Sequence, residues 1–268
     1  MDTRPIGVFD SGLGGLTVVK ELRRLLPNED IVYFGDTGRV PYGTKSRETV
    51  TRYALQDIEF LRGKNVKMVV IACNTVSAVL PAEITEKFDF PYVSVLIPAV
   101  NAAVKRTRNG KIGVICTSAT AKSGAYETSI RKIIPDIAVI TKACPLFVPL
   151  VESGWFQKDN KVAALVAEEY LSPLRALSID TCILGCTHYP YLHDIIDSTF
   201  EHKVALIDSG RETAAVVKSV LEQKELLSDS ESEGKCGFFV SDSVETFTEL
   251  AGKFLLTDIQ GDVAKVSL

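Results

Sequence analysis

Two apolar runs in this 268-residue chain end in the same way. Val69-Val70-Ile71-Ala72 runs into Cys73-Asn74-Thr75, and Cys182-Ile183-Leu184-Gly185 runs into Cys186-Thr187-His188-Tyr189-Pro190. Short apolar runs without alternation read as strands buried on both faces of a parallel sheet. The residues just after such a strand lie at the carboxyl edge of the sheet, where open α/β sheets bind ligands. A fold for this chain must therefore carry two thiols at two matching strand ends.

The remaining pattern alternates strands and helices. Ile6–Phe9 reads as a strand, Asp10-Ser11-Gly12-Leu13-Gly14-Gly15 as a glycine-rich turn, and Leu16–Leu26 as a helix stopped by Pro27 and Asn28. Ile31–Phe34 is a second strand, and Ser46 caps a helix reaching about Arg62. Val66–Ala72 is the third strand, Asn74 to about Lys87 a helix, and Pro91–Leu96 a fourth strand. From Ile112 the order starts again. Ile112-Gly113-Val114-Ile115-Cys116-Thr117-Ser118 resembles the opening segment, Ile137–Thr141 echoes the second strand, and Cys182–Gly185 echoes the third. Val204–Ile207 then reads as a strand, Arg211–Leu226 as a helix, Ser228–Gly234 as a mobile acidic linker, Gly237–Val240 as a strand and Val244–Leu256 as a helix. The tail from Thr257 has no assignment.

Strands alternating with helices imply an α/β fold. The expected architecture is two similar doubly wound domains with mostly parallel sheets and an active site in the cleft between them. Right-handed crossovers would bring the turns with Asp10, Asp36, Cys73, Thr117 and Cys186 to that cleft.

Composition narrows the setting. The net charge is −4 and Lys and Arg form no block, so nucleic acid is not the expected partner. No stretch approaches the roughly 20 apolar residues of a membrane span, and Ile6–Phe9 is too short for a secretory signal, so a soluble, cytoplasmic protein is expected. The six cysteines are even in number, but a disulfide framework belongs to short secreted chains, and these are read as reduced.

Several chemistries compete for these motifs. A dinucleotide fingerprint fails because Thr17 stands at its third glycine position and Asp10 would repel a pyrophosphate. The turn then either needs glycine for its backbone angles or holds a small anion through Ser11 and backbone N–H groups. Cys182, Cys186 and His188 are poorly spaced for zinc. Cys186 as a hydrolase nucleophile with His188 as base stays open, as does the plain reading of each cysteine as a small buried apolar residue. Cys73 and Cys186 taken together suit another reaction. Two thiols on opposite walls of a cleft can take a proton from one face of a carbon and return one to the other. A helix amino terminus would favour the thiolate, with Asp10 beside Cys73 and His188 beside Cys186 as tuning groups. Thr75 and Thr187, with nearby N–H groups, suit substrate carboxylates. No lysine stands in an evident place for a pyridoxal Schiff base.

At these residues the chain resembles the bacterial glutamate racemase family. The segments Ile6–Gly15, Tyr33-Phe34-Gly35-Asp36-Thr37 with Pro41-Tyr42-Gly43, Ala72–Thr75, Leu184–Pro190, Asp208-Ser209-Gly210 and Phe238–Asp242 carry the likeness in order. The resemblance implies a cofactor-independent, metal-free racemase interconverting L- and D-glutamate for peptidoglycan, commonly as a homodimer. It implies a first domain of residues 1–97 plus 208–268 and a second of 98–207. Catalytic roles fall on Cys73, Cys186, Asp10, His188 and Glu152. Substrate contacts fall on Asp10, Ser11, Pro41, Tyr42, Gly43, Asn74, Thr75, Thr117, Thr187 and His188. A racemase for aspartate or a hydantoin, and a non-catalytic acidic amino-acid-binding or regulatory protein, are the alternatives.

Overall fold

The computed structural model describes residues 2–255 and 263–268. Strand β1 (Ile6–Asp10) is followed by α1 (Leu16–Leu25), β2 (Ile31–Gly35), a 3-10 turn (Tyr42–Thr44), α2 (Arg47–Gly63) and β3 (Met68–Ile71). Then come α3 (Asn74–Val79), α4 (Ala82–Thr85), β4 (Tyr92–Ser94), α5 (Leu96–Arg106), β5 (Lys111–Cys116), α6 (Ser118–Ser123), α7 (Ala125–Ile133) and β6 (Ala138–Ala143). The chain continues through α8 (Phe147–Glu152), α9 (Lys161–Ala176), β7 (Thr181–Gly185), a second 3-10 turn (Tyr189–Leu192), α10 (His193–Thr199), β8 (Ala205–Asp208) and α11 (Ser209–Gln223). It closes with β9 (Cys236–Val240), α12 (Val244–Leu255) and β10 (Val263–Lys265).

Among the described residues the strands form a six-stranded sheet, β10-β9-β2-β1-β3-β4, and a four-stranded sheet, β6-β5-β7-β8. Every strand pair in both is parallel. The order β2-β1-β3-β4 recurs as β6-β5-β7-β8, so the repeat read in the sequence is a repeat of topology. The register aligns Asp10 with Gly35, and Cys116 with Gly185. Parallel strands thus deliver their polar tips to one edge of each sheet.

The central strands are apolar because helices cover both faces. Ile6, Val8, Phe9, Met68, Val69 and Val70 are fully buried in the first sheet, as are Ile112, Val114, Ile115, Cys182, Ile183 and Leu184 in the second. Caps fix where helices begin. Ser46 accepts from Thr49 N at 3.3 Å, Asn160 from Ala163 N at 2.9 Å, and Asp208 from Gly210 N at 2.8 Å.

Four expectations need correction. The helix from Asn74 to Lys87 is two helices, because Pro81 lacks an N–H and forces Leu80 into extended backbone (φ −64°, ψ 123°). The fourth strand is three residues long, and Leu96 already belongs to α5, whose Pro98 sits harmlessly in the first turn. The helix read as Arg211–Leu226 starts earlier, at the Asp208 cap, and ends at Gln223. The acidic stretch 228–234 is tied down: Ser228 N donates to Glu29 (2.8 Å), Gly234 N to Pro27 O (2.8 Å), and Arg23 pairs with Glu233 (2.9 Å). The sequence pattern assigns none of α5 to α10, and the expected helix end at Leu256 lies outside the described residues.

One buried ion pair fastens the amino-terminal segment and the stretch after α11 to the first sheet. Lys67, just before β3, lies 2.5 Å from Glu29 and donates to Asp2 O (2.7 Å) and Leu226 O (2.8 Å). Both side chains are almost wholly buried. Lys67→Met is expected to lower the unfolding free energy in urea by about 3–5 kcal/mol, because Glu29 is left charged and unpaired. Adding Glu29→Met should recover most of that loss. A single-variant loss under about 1 kcal/mol would show the pair to be effectively solvated.

Candidate active site

The tips of the two sheets face each other across a cavity of about 440 Å³. Its wall includes Ser11, Pro41, Tyr42, Gly43, Cys73, Asn74, Thr75, Thr117, Glu152, Cys186, Thr187 and His188. Asp36, expected at the cleft, is fully buried and is not part of this wall, but of the catalytic and substrate-contact residues named from the resemblance all but one meet here. The exception is Asp10, which is fully buried behind the wall. Its Oδ2 accepts from Gly12 N at 3.1 Å, and Thr187 donates to its Oδ1 at 3.4 Å. Asp10 thus braces the glycine turn against the second half of the molecule instead of lining the cavity.

The glycines allow that contact. A Cβ on Gly14 would lie 2.2 Å from Thr187 Oγ1 and 2.5 Å from His188 Nδ1. Thr17, which spoils the dinucleotide fingerprint, shares its hydroxyl proton between Gly14 O (2.9 Å) and Thr187 O (3.2 Å). On the other side Thr75 and Thr117 share a hydrogen bond of 3.0 Å, and Gly43 lies so close to Thr117 that a Cβ would come within 2.7 Å of the threonine Cβ. The two sheet edges are packed to touching on both sides of the cavity.

Cys73 caps α3 and is 4% exposed, and its thiol lies 3.7 Å from Ser11 Oγ. Cys186 follows β7 and is 6% exposed. Its Sγ lies 3.8 Å from His188 Nδ1, and His188 Nε2 lies 3.0 Å from Glu152 Oε1. With Nε2–H donating to the carboxylate, Nδ1 is the acceptor turned to the thiol. Cys182 is fully buried inside β7, away from this group, which removes the C-x₃-C-x-H pairing. Among the described residues no group of three or more His, Cys, Asp and Glu is placed to hold a metal ion.

The expected lowering of the thiol pKa values does not occur. Burial pushes Cys73 up to about 12, with Asp10 adding to the rise, against weaker pulls from Val76 N–H and Ser11. Burial also raises Cys186 well above the ordinary thiol range, helped by Asp10 and Cys73 and opposed by a backbone hydrogen bond to His188. Asp10 is itself raised by burial, against the opposite pull of His188 and of Gly15, Gly12 and Thr187 hydrogen bonds. The short-helix dipole is the smaller effect, because desolvation opposes every charged form in the site.

Sequence reasoning missed an acidic cluster under the Pro41–Gly43 wall. Tyr42 directs its hydroxyl away from the cavity, onto Asp36 and Asp57. A signal was present: Asp57 interrupts the buried stripe Val50, Ala54, Ile58 and Leu61 of α2.

Two outcomes are expected from this geometry. In a Cys186→Ser variant, alkylation of Cys73 by iodoacetamide, measured by mass spectrometry, should rise about tenfold per pH unit from neutral pH into the strongly alkaline range, because only the thiolate reacts. A plateau by about pH 9 would instead mark an ordinary thiol. Gly14→Ala should cost roughly 10² in turnover by displacing Thr187 and His188, while the protein stays folded by circular dichroism.

The whole chain has close relatives among known proteins. The family model described as Asp/Glu/Hydantoin racemase matches residues 6–217. A glutamate racemase of Geobacter metallireducens is 48% identical over 268 residues, covering 100% of this chain and 98% of that protein. A glutamate racemase of Streptococcus agalactiae is 45% identical, covering 97% of each. Among solved structures, a glutamate racemase isoform from Bacillus anthracis superposes with a TM-score of 0.95 at 38% identity, over 100% of this chain and 99% of that one. The enzyme from Francisella tularensis, in complex with D-glutamate, gives 0.92 at 41% identity, over 100% and 98%. An aspartate racemase from Picrophilus torridus, at 16% identity and 0.57, shares the fold alone.

Proposed function

The chain belongs to the Asp/Glu/Hydantoin racemase family, and from that premise we propose that it is a cofactor-independent glutamate racemase working with two thiols. One observation carries the mechanism: Cys73 and Cys186 line one small cavity from the tips of equivalent strands, β3 and β7, in two opposed sheets. Full-length identity of 45–48% to glutamate racemases supports glutamate as substrate.

The proton inventory is simple. One cysteine enters as thiolate and takes the Cα proton from one face. The electron pair left on Cα is delocalised into the neighbouring carboxylate. The other cysteine, still a thiol, gives its proton to the opposite face and becomes the thiolate. No atom is gained or lost, and the two sulfurs exchange roles. The raised thiol pKa values fit this cycle once substrate is present. The ammonium of glutamate brings positive charge into a dry site and stabilises the thiolate there. His188, held by Glu152, accepts and returns the Cys186 proton. Ser11 hydrogen-bonds Cys73, and Asp10 holds the turn that carries Ser11. Asn74, Thr75, Thr117 and Thr187 with the Pro41–Gly43 wall grip the ammonium and carboxylates.

The same reading divides the chain into residues 1–97 with 208–268, and 98–207, each half supplying one thiol. It places the enzyme in the cytoplasm as a homodimer, making D-glutamate for peptidoglycan. The two thiols of this mechanism, Cys73 and Cys186, must stay reduced, which supports that compartment. Among the described residues no helix is long and apolar enough to cross a membrane.

Pure reduced protein without added cofactor should bring L-glutamate to zero optical rotation and leave aspartate and a hydantoin unchanged. Rotation lost with aspartate alone would reassign the substrate. Cys73→Ala and Cys186→Ala should each lower racemisation by at least about 10²–10⁴ with the fold retained. Wild-type turnover in either variant would remove that cysteine from the mechanism.

A further inference from the structure

The cluster beneath the Pro41–Gly43 wall holds more acid than base. Asp36, just past the tip of β2, and Asp57 on α2 are both fully buried. Arg39 is the cation between them. It donates through Nε to Asp36 Oδ2 (2.6 Å) and through Nη2 to Asp57 Oδ1 (3.0 Å). The Tyr42 hydroxyl meets Asp36 Oδ2 and also lies 3.0 Å from Asp57 Oδ2.

A phenol has one proton to give and two carboxyl oxygens beside it. Asp36 accepts on every side, from Ser241 at Oδ1 (2.7 Å) and from Arg39 and Tyr42 at Oδ2. That is the pattern of a carboxylate. Asp57 Oδ2 faces a hydroxyl whose proton is already given. Two ionised acids against one guanidinium would leave uncompensated charge in a buried place, with Asp10 a third acid near by. Each contact is satisfied when Asp57 itself carries a proton and donates it.

We propose that Asp57 is a neutral carboxylic acid in the working enzyme and a positioning residue for the substrate cavity. Asp57 donates to Tyr42, Tyr42 donates to Asp36, and Arg39 with Ser241 locks Asp36 in place. This directed chain ties α2, β2 and the end of β9 to the wall from Pro41 to Gly43. Its purpose rests on the racemase reading, since that wall then grips glutamate. Burial, with Asp36 and Asp10 adding to it, pushes the Asp57 carboxyl well above the usual range, against the pull of Arg39 and Tyr42. Burial, with the Asp36 carboxylate adding to it, also raises the Tyr42 phenol, which keeps its proton.

The raised carboxyl sets the sign of the pH effect. Below about pH 4 Asp57 is protonated in both folded and unfolded chains. Above it the unfolded chain ionises and the folded one does not, so this group's contribution to stability falls as pH rises toward its native pKa.

Asp57→Asn replaces the acid with a group of the same hydrogen-bonding pattern, Nδ2 donating to Tyr42 and Oδ1 accepting from Arg39. It should keep KM for glutamate within roughly threefold, well inside the loss of one charged hydrogen bond. It should also abolish any rise of KM at alkaline pH and gain melting temperature over wild type between about pH 5 and 8. Asp36→Asn removes the charged acceptor of three donors and should raise KM by roughly 10- to 10²-fold with less effect on kcat. Equal damage from both variants, or parallel melting curves across pH, would overturn the proposal. If Asp36→Asn does not fold, infrared difference spectra decide. Wild type minus Asp57→Asn at neutral pH should contain the C=O stretch of a protonated carboxyl, and its absence overturns the assignment. Wild-type racemisation in the same preparations keeps the two questions apart. An inactive wild type defeats the racemase reading, whereas melting and infrared report on Asp57 without activity.

Discussion

Desolvation of two thiols is the constraint on which this site depends. A buried thiol resists ionisation, and Cys73 and Cys186 are buried where the edges of two sheets meet. Burial therefore disfavours the very form that would attack a Cα proton. Such a site is quiet until something positive enters it. The same dryness strengthens every hydrogen bond to a developing charge, so that resistance at rest and stabilisation in the reaction have one physical origin.

The close meeting of the edges is built from small residues. Gly14 sits against Thr187 and His188, and Gly43 against Thr117, at distances that admit no side chain. Asp10 and Thr17 then join the first half to Thr187 through its hydroxyl and carbonyl. The two thiols are asymmetric in their neighbours. Cys186 has an imidazole backed by a carboxylate, while Cys73 has a hydroxyl. Two thiols with different neighbours suit a cycle in which the sulfurs must be in opposite protonation states.

Much of this was legible in the sequence, for a topological reason. Parallel strands end at one edge, so residues following Phe9 and Ala72 had to share the edge of one sheet and those following Cys116 and Gly185 the edge of the other, and the packing of the sheets then brings the two edges together. The cavity wall duly contains Ser11, Cys73, Thr117 and Cys186. Pro81 was also written plainly, and a continuous helix across it ignored the cost of the missing N–H. Other features depend on tertiary contact. The helix position of Cys73 argues for an acidic thiol, but burial decides otherwise, and burial is not local. Asp10 reads in the sequence as the first residue after a strand, yet it closes β1 and is buried behind the wall. Asp57 lies far along the chain from Asp36, and only its place in an apolar stripe hinted that a carboxyl was to be buried.

The central claim is that two different sulfurs serve the two faces of Cα. Its most direct test is racemisation of L-glutamate in deuterated water, stopped at early times, with the enantiomers separated and Cα deuterium measured in each. With two bases, the D-glutamate formed carries solvent deuterium from the start, while the L-glutamate that remains is still protonated. Deuterium appearing in recovered L-glutamate as fast as in D-glutamate would mean one group serves both faces and would contradict the two-thiol account.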